Sequence, residues 1–145
     1  MKILTLWEPW ATLVIIGQKR LETRSWSTQY RGLLAIHAAK YTDVDALHRE
    51  PFHSVLAGRR LCEGMLLGCV QLVDCFRIEE VSTRLALHVA EAAQYEQYFG
   101  DYHAGRFAWQ LRQPRALQQP VPWKGGQGLR NLSQDVAEYV DRWSR

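Results

Sequence analysis

The chain has few cysteines, and their number and spacing exclude two classes of small protein. Its 145 residues include Cys62, Cys69 and Cys75. An odd number of cysteines without a C-x-x-C pair argues against a disulfide scaffold and against a zinc ribbon. We therefore expect the three thiols to be buried apolar side chains in a reducing compartment.

Long apolar runs are also missing. No stretch approaches the roughly 18 apolar residues that a membrane-spanning helix needs. The first residues, MKILTLWEPW, lack the apolar core and the small-residue cleavage site of a signal peptide. The chain has no internal repeat, and its histidines lack metal-site spacing. We expect one cytoplasmic domain over residues 1–145, monomeric, with no membrane contact, no metal and no cofactor.

Charge is present in blocks rather than as a large excess. The formal net charge is only +3. Residues 17–40 carry five cationic side chains and one acid, and residues 105–131 carry five cationic side chains and no acid. Residues 79–101 carry five acids and one cation. This pattern predicts a polarised surface, with an anion-binding face if the two basic segments meet.

Hydrophobic patterning predicts an α+β domain of five or six short strands with a bent sheet or small barrel. The predicted strands are Ile3–Leu6, Arg20–Arg24, Leu33–Ala38, Gly64–Ile78 (the longest, with a bulge at Gly68) and Arg106–Arg112. The predicted helices are Trp10–Ile16, Asp43–Leu56 with a break at Pro51, part of Ser82–Phe99, and Gln134–Trp143. Residues 124–128 (KGGQG) are predicted to form a loop.

The densest group of reactive side chains is Lys19, Glu22, Arg24 and Trp26. If Leu21–Arg24 is extended, Glu22 and Arg24 point to the same face because side chains alternate along a strand. Glu22 then lies between two cations. The spacing alone favours a surface ion pair on a strand, which contributes little stability.

The pattern Gly17-x-Lys19-x-x-Glu22-x-Arg24 resembles the signature of the ASCH domain, a family of the PUA-like superfamily. Flanking segments extend the resemblance across most of the chain. They are WEPWA at 7–11, YRG at 30–32 followed by AIHA at 35–38, and WKGG at 123–126. One departure is Glu8, where glutamine is common in the family.

The resemblance implies a PUA-like fold, a small bent β-barrel of about five to six strands with flanking helices and a cleft along one side. It also implies RNA, a nucleotide or a modified base as the ligand, and we expect this ligand in a basic, tryptophan-lined cleft. Cations can neutralise phosphates, tryptophans can stack on bases, and glycine lets the backbone approach a ligand. The predicted binding residues are Trp7, Lys19, Arg24, Trp26, Arg31, Trp123, Lys124 and Gly125. Trp10, among apolar neighbours, is predicted to be a core residue.

Two other function classes stay open. Some ASCH proteins resemble amidohydrolases that act on acylated cytidine, but Glu22 stands where their threonine nucleophile would be. A metal-independent ribonuclease is the other enzymatic alternative, and the tentative catalytic residues are Lys19, Glu22 and Tyr30. His37 is a possible base, although its apolar strand favours a hydrogen-bonded core histidine. The third possibility is a protein-interaction adaptor.

Overall fold

A computed structural model describes residues 1–87 and 96–145. In these ranges the strands are β1 (Lys2–Glu8), β2 (Leu21–Arg24), β3 (Gly32–Thr42), β4 (Met65–Arg77), β5 (Phe107–Pro122) and β6 (Arg130–Asn131). The helices are α1 (Trp10–Ile15), α2 (Val44–Leu47), α3 (Phe52–Leu56), α4 (Val81–Leu87) and α5 (Gln134–Trp143). Short 3₁₀ turns occupy Ile78–Glu80 and Glu96–Tyr98.

The six strands form one mixed sheet in the order β2-β5-β4-β3-β1-β6. Only the β1–β3 pair is parallel among these pairings. The sheet is bent but stays open, because β2 and β6 lie at opposite edges. The predicted α+β fold with a bent sheet of five to six strands is confirmed.

The predicted bulge at Gly68 is also confirmed. The register between β4 and β5 shifts between Leu66 and Gly68. The φ angle of Gly68 is 153°, and a Cβ added there would lie 2.0 Å from the carbonyl oxygen of Arg115. Only glycine allows the two backbones to approach so closely.

The sequence prediction was wrong about the longest strand, which is β5 rather than β4. β5 continues through Pro114, Pro120 and Pro122, beyond the predicted end of this strand at Arg112. On one side, β5 pairs with β2 only over Phe107–Gln110. The prolines lie beyond that range, where a missing N–H group does not interrupt a ladder with β2.

The predicted helices are largely found. Asp43–Leu56 divides into α2 and α3 on either side of Pro51, and α5 has the predicted bounds. Within predicted Ser82–Phe99, α4 ends at Leu87, and residues 88–95 lie outside the described residues. No described helix is long and apolar enough to cross a membrane.

Helices pack on both faces of the sheet, because neighbouring residues of a strand point in opposite directions. Leu4 of β1 packs in the cluster that contains Ala11 and Val14 of α1. Ile3, one residue earlier, packs in the cluster that contains Val140 of α5. Two buried layers therefore hold β1 and its neighbours at the centre of the domain.

Candidate functional site

The loop between α1 and β2 brings the glycine–lysine–glutamate motif to the sheet edge. Gly17 follows α1 with a φ of 80°, as expected for a glycine that ends a helix. The backbone N–H groups of Gln18 and Lys19 both donate to the carbonyl oxygen of Leu13. This turn reverses the chain and starts β2 at Leu21.

Lys19 lies beneath β2 rather than on its surface. It is 1% exposed, and its ammonium donates to the carbonyl oxygen of Leu21. The Lys19 Nζ atom is 3.5 Å from Glu22 Oε1. A phosphate in solvent therefore cannot reach the Lys19 ammonium while Glu22 keeps its position.

Glu96 fixes the start of β2, although it lies 76 residues after Arg20 and 75 residues after Leu21 in the sequence. Its carboxylate accepts hydrogen bonds from Arg20 N and Leu21 N, each 2.7 Å long. Burial raises the pKa of the Glu96 carboxyl, while the nearby charge of Lys19 opposes that shift. The pKa of Tyr102 is raised above its usual range by burial and by the charges of Glu96 and Glu22. The acidic segment thus packs against the basic motif, and the predicted charge separation is partly neutralised.

Beside β2 lies a cavity of about 420 Å³, which we call the aromatic cavity. Its aromatic lining residues are Trp7, Trp10, Phe52, Tyr98 and Phe99. Its charged lining residues are Glu22, Arg24, Arg49 and Asp101. Two guanidinium groups and two carboxylates make this lining mixed in charge, so the expectation of a basic cleft is not met here. The reason is that Asp101, which belongs to the acidic segment at residues 79–101, lines the cavity.

Trp10 lies between the core and this cavity. Its ring meets Phe52 edge-on at 5.8 Å, and Phe52 meets Phe99 edge-on at 5.0 Å. Trp10 is half-buried and packs against a core cluster, which agrees with the core prediction. It also lines the cavity, which the sequence did not indicate.

The charged groups of the aromatic cavity differ in how fully they are paired. Glu22 Oε1 accepts from the Thr23 backbone N–H at 2.9 Å, and Arg24 Nη2 is 3.9 Å from Glu22 Oε2. Arg24 Nη2 also donates to the carbonyl oxygen of Thr5. Asp101 is bound by His103, whose hydrogen bonds lower the pKa of the Asp101 carboxyl.

Trp26, Tyr30 and Arg31 are predicted site residues that lie outside the lining of the aromatic cavity. Trp26 meets the buried ring of Trp109 edge-on at 4.7 Å, and its carbonyl oxygen accepts from Trp109 Nε1. The Tyr30 hydroxyl donates to the carbonyl oxygen of Leu33. Arg31 lies 3.5 Å from Asp74. The positions of these side chains are explained by packing and pairing within the domain.

Lys124 belongs to a second depression of about 680 Å³, which we call the lysine pocket. Its lining residues are His37, Ala39, Lys40, Gly64, Pro122, Trp123, Lys124 and Gly125. This lining contains two lysines and no carboxylate. The structure therefore separates Lys124, Trp123 and Gly125 from Glu22 and Arg24, which the sequence had placed in one cleft.

His37 is a hydrogen-bonded buried residue behind the lysine pocket. It is 1% exposed, its Nε2 lies 2.8 Å from the carbonyl oxygen of Trp123, and its Nδ1 lies 3.2 Å from Thr5 Oγ1. Burial lowers the pKa of His37. A Cβ on Gly125 would lie 2.8 Å from His37 Cε1. The predicted core histidine is confirmed, and the close approach at Gly125 is to this imidazole.

Thr5 connects the two regions. Its Oγ1 contacts His37 and accepts from the backbone N–H of Gly126 at 3.3 Å. Its carbonyl oxygen accepts from Arg24 at 3.3 Å. The aromatic cavity and the lysine pocket are therefore neighbours on either side of one residue of β1.

Sequence reasoning missed several residues of the aromatic cavity, namely Thr5, Arg49, Phe52, Tyr98, Phe99 and Asp101. They come from three separate segments, and none of them belongs to the glycine–lysine–glutamate motif. The only local signal was the combination of aromatic and acidic residues at 98–101. Among the described residues, no group of three or more histidine, cysteine, aspartate or glutamate side chains is placed to hold a metal ion.

A comparison with protein families matches residues 4–120 to the ASCH domain. The chain belongs to the ASCH domain family. Over 80 residues, this ASCH domain chain is 38% identical to activating signal cointegrator 1 of Homo sapiens and 36% identical to that of Mus musculus. The matched region is 50% of this chain but only 14% of each cointegrator.

Solved structures with the same fold come from Zymomonas mobilis. The ASCH protein of that organism superposes with a TM-score of 0.60, covering 99% of this chain and 95% of its own. A point mutant of it gives a TM-score of 0.59, covering 99% and 98%. Both are 17% identical to this ASCH domain chain, so the likeness establishes the shared fold alone.

Proposed function

We propose that this ASCH domain binds single-stranded RNA and holds one unpaired base in the aromatic cavity. The observation that carries the proposal is the lining of that cavity, in which five aromatic side chains and two arginines surround about 420 Å³. Every base has a π-face, and stacking on an aromatic side chain is worth about 1–3 kcal/mol per base. Arginine guanidinium groups supply attraction for phosphate oxygens.

The exposure of two rings supports this proposal. Trp7 and Tyr98 are each 55% exposed, although large aromatic side chains normally bury most of their surface. Trp7 also lies 4.5 Å from the ring of Tyr41, which is 50% exposed. Exposed rings around a preformed opening are the arrangement that proteins use to stack single-stranded bases.

The lysine pocket supports a second part of the proposal, in which it attracts the phosphates beside the bound base. Lys40 and Lys124 line it without a carboxylate, and Thr5 joins it to the aromatic cavity. Arg24 lines the cavity itself. Of the sequence-predicted binding residues, Trp7, Arg24, Trp123, Lys124 and Gly125 therefore belong to this proposal. In this proposal, the residues that only stabilise the fold and do not contact RNA are Lys19, Trp26 and Arg31.

Hydrolysis is not part of the proposal. Among the tentative catalytic residues, the ammonium of Lys19 donates to a backbone carbonyl and the hydroxyl of Tyr30 donates to Leu33. Only Glu22 faces the aromatic cavity. An adaptor role rests on the name of the cointegrator relatives, of which this chain matches 14%.

The proposal is tested by fluorescence anisotropy with a labelled RNA, single-stranded or annealed to its complement, at low salt. We expect tighter binding of the single strand. Tyr98→Ala should weaken it by about 1–3 kcal/mol, because the variant removes an exposed ring at the cavity. Tyr139→Ala is the matched control, since Tyr139 is 43% exposed but lies on α5, outside the cavity. No affinity for either RNA, or equal losses in both variants, would contradict the proposal.

A further inference from the structure

Both oxygens of the Glu22 carboxylate have hydrogen-bonding capacity left for a ligand, since each oxygen has more than one acceptor site. Among the hydrogen bonds of the described residues, the Glu22 carboxylate accepts one, from Thr23 N to Oε1. Arg24 Nη2 approaches Oε2 to 3.9 Å, which is an ion pair but too long for a hydrogen bond. The residue is 8% exposed and lines the aromatic cavity. A ligand in the cavity therefore meets an acceptor that the protein leaves available.

Two cations flank the Glu22 carboxylate and fix its position. Lys19 Nζ lies 3.5 Å from Oε1, and Arg24 lies on the other side of the carboxylate. A carboxylate between two cations is acceptor-only, and its two oxygens can accept two parallel N–H bonds. A ligand edge that presents an acceptor to it would lose hydrogen bonds and be repelled.

We propose that Glu22 makes the aromatic cavity selective for a base edge with two adjacent N–H donors, as on the Watson–Crick edge of guanine. This inference rests on the proposed function, since it names the base that the cavity takes. Guanine offers N1–H and the N2 amino group side by side. Adenine and neutral cytosine each place a ring-nitrogen acceptor beside their amino group, and uracil has one N–H between two carbonyl oxygens.

Arg24 can recognise a third group on the guanine edge, the acceptor O6. The guanine edge continues from N1–H to the acceptor O6, so its order is acceptor, donor, donor. Arg24, which can only donate, lies beside Glu22 and also lines the cavity. Asp101, the other carboxylate of the lining, is already bound by His103 and lies 3.6 Å from Arg106 Nε. Glu22 with Arg24 is therefore the pair that reads the base edge.

The test uses the wild-type domain and free 5′-mononucleotides, with binding measured by calorimetry. We expect GMP to bind about 5- to 150-fold more tightly than AMP, CMP or UMP, the range that one good bidentate contact provides. IMP, which lacks the 2-amino group, should lie between GMP and AMP. Methylation at N1 of GMP should remove the advantage, whereas methylation at N7 leaves the recognised edge intact and serves as the matched control.

A variant gives a second line of evidence. Glu22→Gln keeps the side-chain volume but replaces one acceptor by a donor, so the ratio of GMP affinity to AMP affinity should fall. If this variant fails to fold, the nucleotide series on the wild type still decides. Equal binding of all four nucleotides, or equal binding of the two methylated forms, would overturn the guanine selectivity alone. Absence of binding to every nucleotide and to single-stranded RNA would overturn the proposed function as well.

Discussion

The aromatic cavity and the lysine pocket lie on either side of Thr5, yet they differ in how their charged side chains are paired. In the aromatic cavity, cations are placed beside carboxylates, and Lys19 is buried beneath it. In the lysine pocket, two lysines stand without a lining carboxylate. Paired charges fix the geometry of a site, whereas unpaired surface cations provide long-range attraction. The sequence motif is therefore a better guide to the shape of the cavity than to its charge.

The largest expected effect compares two lysines, one under the cavity and one at the pocket. Lys19→Ala should lower the free energy of unfolding by about 3–5 kcal/mol, because it leaves Glu22 and Glu96 buried without this cation. Lys124→Ala removes a solvent-exposed charge and should change it by less than about 0.5 kcal/mol. Urea denaturation followed by circular dichroism measures both values. Similar losses for the two variants would show that the charges of the two regions do not differ in this way.

The next largest effect is on RNA binding, and it compares an exposed tryptophan at the aromatic cavity with one on α5. Trp7→Ala should weaken the binding of single-stranded RNA by about 1–3 kcal/mol with little change in the melting temperature, because the ring is mostly exposed and is proposed to stack on a base. Trp143→Ala is the control, since Trp143 is 49% exposed on α5. Fluorescence titration gives both affinities. A loss in Trp143→Ala as large as in Trp7→Ala would place the bases elsewhere.

The parts of this site that could be predicted from the sequence are those set by local geometry. The alternation of side chains placed Glu22 and Arg24 on one face of a strand, and their 3.9 Å separation confirms it. The predicted bounds of the last helix, Gln134–Trp143, are those of α5. Glu96 could not be predicted, because it bonds to backbone groups 76 and 75 residues away along the chain.

Long-range packing determines the surroundings of two of the predicted binding residues. Lysine is rarely buried, so Lys19 was expected to contact phosphate, whereas tertiary packing places its ammonium under β2. Trp26 has polar neighbours in the sequence, but it packs on Trp109, which is 83 residues away along the chain. Both positions depend on long-range contacts that no local pattern specifies.

A smaller effect is the pH dependence of the free energy of unfolding. It has opposite signs for His37, behind the lysine pocket, and for Glu96, at the start of β2. The folded-state pKa of His37 lies below 6.5, so the folded protein should lose stability as the pH falls from 6.5 towards that lowered pKa. Burial raises the pKa of Glu96 above 4.5, so its contribution instead weakens as the pH rises through that raised value. Unfolding free energies at pH 7.5 and 5.5 should show a flatter dependence for His37→Gln than for the wild type. An equally steep dependence in the variant would assign the effect to another group.

The smallest expected effect is on the salt dependence of RNA binding, and it tests whether one strand contacts both regions. Each phosphate contact to single-stranded RNA contributes about 0.7 to the slope of log K against log salt concentration. Arg49→Ala at the cavity and Lys124→Ala at the pocket should each lower the slope by about that amount. Arg142→Ala, on α5, is the control and should leave it unchanged. An unchanged slope in Lys124→Ala would restrict the bound strand to the aromatic cavity.

The bulge at Gly68 has a consequence for how this domain can vary. One end of β4 and β5 carries the lysine pocket, and the other end supports β2 and the aromatic cavity. Gly68 lies between these ends, where any side chain would collide with the backbone of Arg115. The side chains around each opening can therefore diversify separately among descendants of this sequence, but the distance and angle between the openings cannot. The absence of a Cβ atom at Gly68 allows β4 and β5 to stay in close contact between the two openings.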